Sequence, residues 1–244
     1  MKPSDRVEFI KKWIINYVNN MPSKATSLVV GVSGGIDSAV VSTISSMTGI
    51  KTFVLSMPIK QIKSQDDLSK LHCNWLVKKF KNTEYLNISL DNVFLEFEKA
   101  VTINKSEHAF ANSRARLRMT TLYQVAGSNN GLVVGTGNKV EDFGVGFYTK
   151  YGDGGVDISP IADCSKTQVW EMGSYLGVDE KIINAAPTDG LWADGRNDED
   201  QLGMSYKELE EAMQNPNSKN YKKYLEIREK NIHKMKEIPV CKFD

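Results

Sequence analysis

The chain has 244 residues, 41% of them hydrophobic, enough for one large α/β domain with a full core. Lys and Arg number 31 against 30 Asp and Glu, a formal net charge of +1, so no overall positive field draws it to nucleic acid or anionic lipid and an anion site has to be built locally. No apolar run reaches the ~20 residues of a membrane helix and no signal peptide opens the chain, so a cytoplasmic protein with no nucleic-acid or membrane partner is expected.

In chain order, Val7, Ile10, Trp13, Ile14, Tyr17 and Val18 recur at helical spacing and predict an amphipathic helix from Arg6 to Asn19. SLVVGV, Ser27 to Val32, reads as a buried strand, and Ile36 to Met47 as a helix with Gly49 as its stop. Lys51 to Met57 is a second strand ended by Pro58, and Asp66 to Phe80 a second helix. Glu84 to Ser89 and Asn92 to Ile103 repeat the plan, and a helix from Asn112 to Ala126, stopped at Gly127, leads into the apolar strand Leu132 to Gly135. Strands alternating with helices imply an α/β fold with a doubly wound, mostly parallel sheet and helices on both faces. Ligands in such sheets sit at the carboxyl ends of the strands, here the loops after Val32, Met57 and Gly135. Ser165 to Leu176 is a further helix. Residues 187–203, PTDGLWADGRNDEDQLG, are glycine-rich, acidic and aperiodic, which reads as a mobile loop, with Asp194 to Gln201 as a candidate lid.

The three cysteines, Cys73, Cys164 and Cys241, form no CxxC pair, and His72, His108 and His233 have no metal-ligand spacing, so neither a disulfide framework nor zinc or haem is indicated.

Between the first strand and its helix lies SGGIDS, Ser33 to Ser38. Gly34 and Gly35 let backbone amides turn inward, the two serines add hydroxyls, and the helix aims its positive end at the same spot. That is a phosphate cradle. It is not GxxxxGK[ST], and no GxGxxG occurs in the chain. Asp37 inside an anion site calls for an intervening cation, which points to Mg²⁺.

The loop resembles the pyrophosphate-binding loop of the adenine nucleotide α-hydrolase superfamily. NSRARLRM from Asn112, GTGNKVED from Gly135, TKYGDGGVDISP from Thr149, SKTQVW from Ser165, PTDGLW from Pro187 and the pair His233 and Lys234 narrow the resemblance to the NAD synthetases, over nearly the whole chain. It implies one domain over residues 1–244 and ATP-dependent amidation of deamido-NAD through an adenylate, with AMP and pyrophosphate released. Matching positions put Gly31, Val32, Ser33, Gly34, Gly35, Ile36, Asp37, Ser38, Leu55, Met57, Thr136, Lys166 and Thr188 against ATP. They put Arg116, Lys150, Asp157, His233 and Lys234 against deamido-NAD, and Asp37 with Glu141 on Mg²⁺. Asp153 is a candidate to orient ammonia or accept its proton. Met235 stands where the family usually carries a third basic residue. The roughly 30 residues before the first strand are far below the size of a glutaminase domain, so ammonia is the expected nitrogen donor, and the family implies a homodimer.

The rival enzymatic reading is another adenylating ligase of the superfamily, such as one similar to the GMP synthetases. A non-catalytic nucleotide-binding module of similar fold is the alternative of a different class.

Overall fold

Strand β1, Ser27–Gly31, alternates between two cores: Leu28 and Val30 face one cluster and Val29 the other, as the two-residue period of a strand dictates. In the computed structural model, which describes residues 1–103, 105–188 and 197–243, β1 pairs in parallel with β2, Lys51–Ser56, and with β4, Gly131–Val134. Strand β3, Thr83–Asn87, adds to the outer side of β2 and completes a parallel sheet of order β3-β2-β1-β4. The chain steps outward from β1 through β2 to β3 and returns to β4 on the other side, so the strand order reverses beside β1. A crevice opens at that reversal, at the carboxyl ends of β1 and β4.

Helices cover both faces. On one side α2, Ile36–Met47, lies between the sheet and the pair formed by α1, Pro3–Asn19, and α6, Lys166–Leu176, with Val7, Ile14, Val40, Ile44, Val169 and Met172 in one buried cluster. Helix α3, Lys63–Lys79, packs Cys73 and Leu76 beneath Val32 and Val54 on the same side. The opposite face is closed by α4, Asp91–Ala100, and α5, Glu107–Ser128, around Phe94, Leu55 and Val133. This is the doubly wound α/β arrangement expected from the alternation of elements. Among the described residues no helix is long and apolar enough to cross a membrane.

Three departures from the sequence reading have local causes. Helix α5 starts at Glu107, where the Ser106 hydroxyl accepts from the Ala109 amide at 3.0 Å, and it runs through Gly127 rather than stopping there. A helical glycine costs only about 1 kcal/mol. The stop comes two residues later, where the Asn129 side chain binds the Val125 carbonyl and Asn130 takes φ +46°. The acidic stretch read as a loop ends in a helix, α8, Asp198–Leu202, opened by a reciprocal capping box between Asn197 and Asp200. Of the candidate lid, residues 197–201 therefore belong to an ordered turn of helix, and residues 194–196 lie outside the described residues. Finally, α7, Glu180–Ile183, α9, Tyr206–Gln214, and α10, Tyr221–Met235, were not anticipated. Helices α8 to α10 build a small core of Leu202, Met204, Tyr206, Leu209 and Tyr224 around Val140 and Val145.

One buried titratable group makes the fold pH-sensitive. His72, in α3, is 2% exposed, with Nε2 3.1 Å from both the Ala39 carbonyl and the Ser42 hydroxyl. Burial holds the imidazole down to about 4, below its unfolded value of ~6.5. The unfolded chain therefore takes up the proton first, and stability drains away as pH falls from about 6.5 towards 4. Denaturant unfolding at pH 7.5 and pH 4.5 should show the wild type losing roughly 2 to 3 kcal/mol more over that interval than His72→Gln. Equal losses in the two proteins would remove His72 from the account.

Candidate active site

The loop after β1 is stitched to itself before any ligand arrives. The Ser38 hydroxyl accepts from the Ser33 amide at 3.2 Å and donates to the Gly35 carbonyl at 2.9 Å, and the Ser33 hydroxyl accepts from the Gly35 amide at 3.3 Å. Gly34 is the pivot. Its φ of +94° is closed to most side chains, and a Cβ there would stand 2.7 Å from the Gln65 carbonyl of α3. The curled loop and the amino end of α2 line the crevice, and a helix amino end at such a loop is the usual physical basis of a phosphate site.

At this loop three charged side chains meet, one of them the loop's own Asp37. Lys166, the first residue of α6 and 2% exposed, places Nζ 2.6 Å from Asp37 Oδ2 and 2.8 Å from Glu141 Oε1. A cation at a helix amino end is electrostatically misplaced, and the two carboxylates supply the compensation. Burial opposes its charge, but Asp37 and Glu141 together outweigh that and hold the ammonium above the usual lysine range. For Glu141 burial is likewise outweighed, chiefly by Lys166, and its carboxyl sits below the ordinary range.

Glu141 reaches this point because the backbone is unusual. Residues Lys139–Val145 form a π-helix, the wide turn that tends to mark functional segments. It is capped by Asn138, whose Oδ1 accepts from the amides of Val140 and Glu141 at 3.0 and 3.1 Å while its Nδ2 donates to Asp37 Oδ1 at 2.9 Å. One buried amide thus fixes both acids. At the far end Arg228 of α10 donates to the Phe143 carbonyl and, at 2.6 Å, to that of Gly144. Tyr206 of α9 donates its hydroxyl to Glu141 Oε1 at 2.5 Å, and burial with Glu141 beside it pushes the phenol far above its ordinary range.

Asp37 and Glu141 already converge on one positive charge, so their oxygens suit a cation. Among the described residues no group of three or more His, Cys, Asp or Glu side chains forms a metal cluster. Two hard carboxylates with room for phosphate oxygens match a Mg²⁺ carried in with a nucleotide better than a closed cage.

The family model described as NAD synthase matches residues 6–242. The chain belongs to the NAD synthase family. A protein named NH(3)-dependent NAD(+) synthetase from Carboxydothermus hydrogenoformans is 38% identical over 212 residues, 84% of this chain and 83% of that protein. Among solved structures, one described as NMN synthetase from Francisella tularensis superposes with a TM-score of 0.91 at 31% identity, covering 100% of both chains. An NH3-dependent NAD synthetase from Campylobacter jejuni, in complex with the nitrate ion, gives 0.79 at 26% identity over 99% of this chain and 100% of its own.

In this member of the NAD synthase family the cleft is lined by Gly31, Val32, Ser33, Gly35, Ile36, Asp37, Ser38, Met57, Thr136, Glu141, Asp153, Lys166 and Thr188. Gly34 shapes the loop from behind, and Leu55 is wholly buried in the core under α5. The residues that the resemblance sets against deamido-NAD lie outside this lining. Arg116 donates from Nε and Nη2 to the Lys150 carbonyl, both at 3.3 Å, and the Lys150 ammonium stands 5.5 Å over the Tyr151 ring. Asp157 is engaged by the fold: Oδ2 accepts from the Val133 amide at 2.7 Å and Oδ1 from the Tyr123 hydroxyl at 2.9 Å. Lys234 donates to the Tyr148 carbonyl at 2.8 Å, and His233 is exposed. The three arginines of α5 diverge, with Arg114 stacked over Phe94 and Arg118 donating to the Met57 carbonyl and to Gln61 at the cleft wall.

Asn138, Asp142, Arg118, Asp198 and Tyr206 are contributors that sequence reasoning did not single out. Asp142 lines the cleft beside Asp153, and burial, then Asp153, push its carboxyl well up. A Cβ at Gly137 would overlap the Asp142 carboxylate, so the GTGN spacing was the available signal for it and for Asn138. Nothing in the local sequence marked Tyr206.

Removing the central cation should be costly. Lys166→Met leaves two carboxylates facing each other in a sparsely solvated site, a change worth about 3 to 5 kcal/mol. Denaturant titration at pH 7 should show that loss, and the deficit should narrow towards pH 5, since unpaired buried carboxyls have raised folded values and are stabilised by protonation. A deficit that stays constant with pH would mean the loss is one of packing alone.

Proposed function

We propose that the chain uses ATP to convert the nicotinate carboxylate of deamido-NAD into the carboxamide of NAD, with ammonia as the nitrogen donor. The observation that carries this reading is the placement, in one crevice of an NAD synthase family fold, of a curled glycine loop whose Asp37 meets Lys166 and Glu141.

A carboxylate does not expel oxide when an amine attacks, so it must first be activated. In the proposed sequence a nicotinate oxygen attacks the α-phosphorus of ATP and the bond to the bridging oxygen of pyrophosphate breaks. Ammonia then adds to the acyl carbon, AMP leaves with its oxygen and a proton is released. The amides and hydroxyls of residues 33–38 would hold the departing pyrophosphate, where hydrogen bonds to developing charge are worth most. Lys166 would turn from its two carboxylates towards phosphate. Asp37 and Glu141 would hold Mg²⁺, which supplies neutralisation of the phosphate charge when bound. Asp153, whose Oδ1 accepts from the Thr149 amide at 2.9 Å, would orient ammonia at the end of the cleft away from the loop. Met57 and the buried Leu55 behind it would back the adenine, and Thr136 and Thr188 would line the nucleotide. Arg116, Lys150, Asp157, His233 and Lys234 would serve deamido-NAD from beyond the described cleft wall. Within this reading residues 1–244 act as one domain in a cytoplasmic homodimer.

A second reading has its own observation. The structure described as an NMN synthetase aligns over the whole of both chains with the TM-score of 0.91. Making nicotinamide mononucleotide by the same chemistry would mean amidating nicotinate mononucleotide, a substrate that lacks the adenylyl half.

Both readings are tested by one assay. With ATP, Mg²⁺ and ammonium, deamido-NAD or nicotinate mononucleotide is supplied in turn, and AMP, pyrophosphate and the amide are quantified. AMP should form in step with amide and only when an acceptor is present. Release of ADP would sink the mechanism, and kcat/KM for the mononucleotide at least tenfold above that for deamido-NAD would favour the second reading. Glutamine in place of ammonium should give little product.

Arg116 offers a finer check. Arg116→Ala should lower kcat/KM for deamido-NAD about tenfold, equivalent to about 1.4 kcal/mol, whereas Arg114→Ala should not, with thermal stability recorded for both. Wild-type kinetics in Arg116→Ala would remove that residue from the substrate site.

A further inference from the structure

Among the described residues Tyr206 is the largest of the fully buried side chains, at 1% exposure, yet it does not line the cleft and lies 65 residues beyond Glu141 in sequence. Its ring is held from two sides: Trp170 meets it edge-on at 5.9 Å between centroids, and Lys166 Nζ stands 4.7 Å from its centre. Held in this way, the hydroxyl sits 2.5 Å from Glu141 Oε1 and 3.1 Å from Asp198 Oδ2. A phenol has one proton to donate. At these distances the proton belongs to Glu141, and Asp198 is the second, longer acceptor.

The rest of the α8 and α9 segment is tied to the same point. The Tyr206 amide donates to Glu199 Oε1 at 3.0 Å, and the Asp198 amide donates to the Pro187 carbonyl at 2.9 Å, so the stretch of chain that brings Thr188 to the cleft is anchored next to the phenol. Glu141 Oε1 therefore takes two donors, Lys166 from the loop-facing side and Tyr206 from the C-terminal core.

We propose that Tyr206 is a positioning residue for the reaction: its hydroxyl fixes the Glu141 carboxylate in the orientation that accepts the cation accompanying the nucleotide. The inference rests on the reading of Asp37 and Glu141 as the cation-binding pair. Two separate donors explain how Glu141 can release one of them. When Lys166 turns towards phosphate, Tyr206 still holds the carboxylate in place, so the acid does not have to be reordered as the cation arrives. Hydrogen-bonded partners of this kind, one step removed from a metal, typically change its affinity 10- to 100-fold.

The test uses the full chain and Mn²⁺ as the probe, with a non-hydrolysable ATP analogue bound, and reads free Mn²⁺ by electron paramagnetic resonance. Tyr206→Phe keeps the ring between Trp170 and Lys166 and removes only the hydroxyl. It should weaken Mn²⁺ binding about tenfold and raise the Mg²⁺ concentration needed for half-maximal turnover in proportion, with the KM for the nicotinate substrate unchanged. Glu141→Gln is the reference, and adding Tyr206→Phe to it should weaken Mn²⁺ no further. Leu209→Ala loosens α9 without touching the hydroxyl and should leave Mn²⁺ binding as in the wild type. Wild-type Mn²⁺ affinity in Tyr206→Phe, while Glu141→Gln loses it, overturns the inference alone. Wild-type affinity in Glu141→Gln overturns the cation reading beneath it. Equal weakening by Leu209→Ala and Tyr206→Phe would assign the effect to packing of α9 and overturn the positioning role.

Discussion

Almost everything distinctive in this structure depends on one buried ammonium, that of Lys166, held between Asp37 and Glu141. The three residues come from α6, α2 and the π-helix, and Lys166 lies 129 residues from Asp37 and 25 from Glu141 in sequence. Desolvating such a trio generally costs as much as its attractions return, so it is poor evidence for stability. A family that uses ATP as a substrate gives such a cluster, set in a crevice beside a glycine loop, a reason to exist. The lysine keeps the two acids from repelling each other.

Part of the irregular backbone lies at the same place. Gly34 at φ +94° curls the phosphate loop against α3, the π-helix turns Glu141 and Asp142 into the cleft, and Tyr151 at φ +61° shapes the segment that carries Asp153. Positions of this kind cost free energy and persist where the surroundings over-determine them. Here the surroundings are specific. Asn138 caps the π-helix and binds Asp37, Arg228 satisfies its far carbonyls, and Tyr206 meets Glu141 from below. The small C-terminal core around Val140 and Val145 is therefore a support for the site as much as an appendage to the sheet.

The membership of the NAD synthase family fits this architecture physically. An adenylating ligase needs a pyrophosphate cradle, a small number of hard oxygen donors and a dry region in which a mixed anhydride outlives attack by water. In this fold the glycine loop lies at the end of β1, and the π-helix brings Glu141 to the same crevice. Arg116 and Lys150 are not among the residues that line this crevice.

The sequence by itself determined the elements whose signal is local. Alternation of apolar strands with amphipathic helices gave the parallel, doubly wound sheet, since Leu28, Val29 and Val30 can be buried on both faces only with helices on each side. SGGIDS between a strand and a helix gave the phosphate loop, because glycine pairs and hydroxyls act within a few residues of backbone. Even the misreadings are local in origin: Gly127 looks like a helix stop until Asn130 is seen to make the turn, and the acidic run before Gly203 conceals a capped helix because its charge masks its short apolar face. Only the tertiary structure decided which charges meet. Nothing in the spacing of Asp37, Glu141, Lys166 and Tyr206 places them within hydrogen-bond reach, because their partnership is set by sheet order, by the one-residue widening of a π-turn and by the packing of α9 against α6. Side-chain pairing across such distances is a property of the assembled core, and a chain read residue by residue carries no local trace of it.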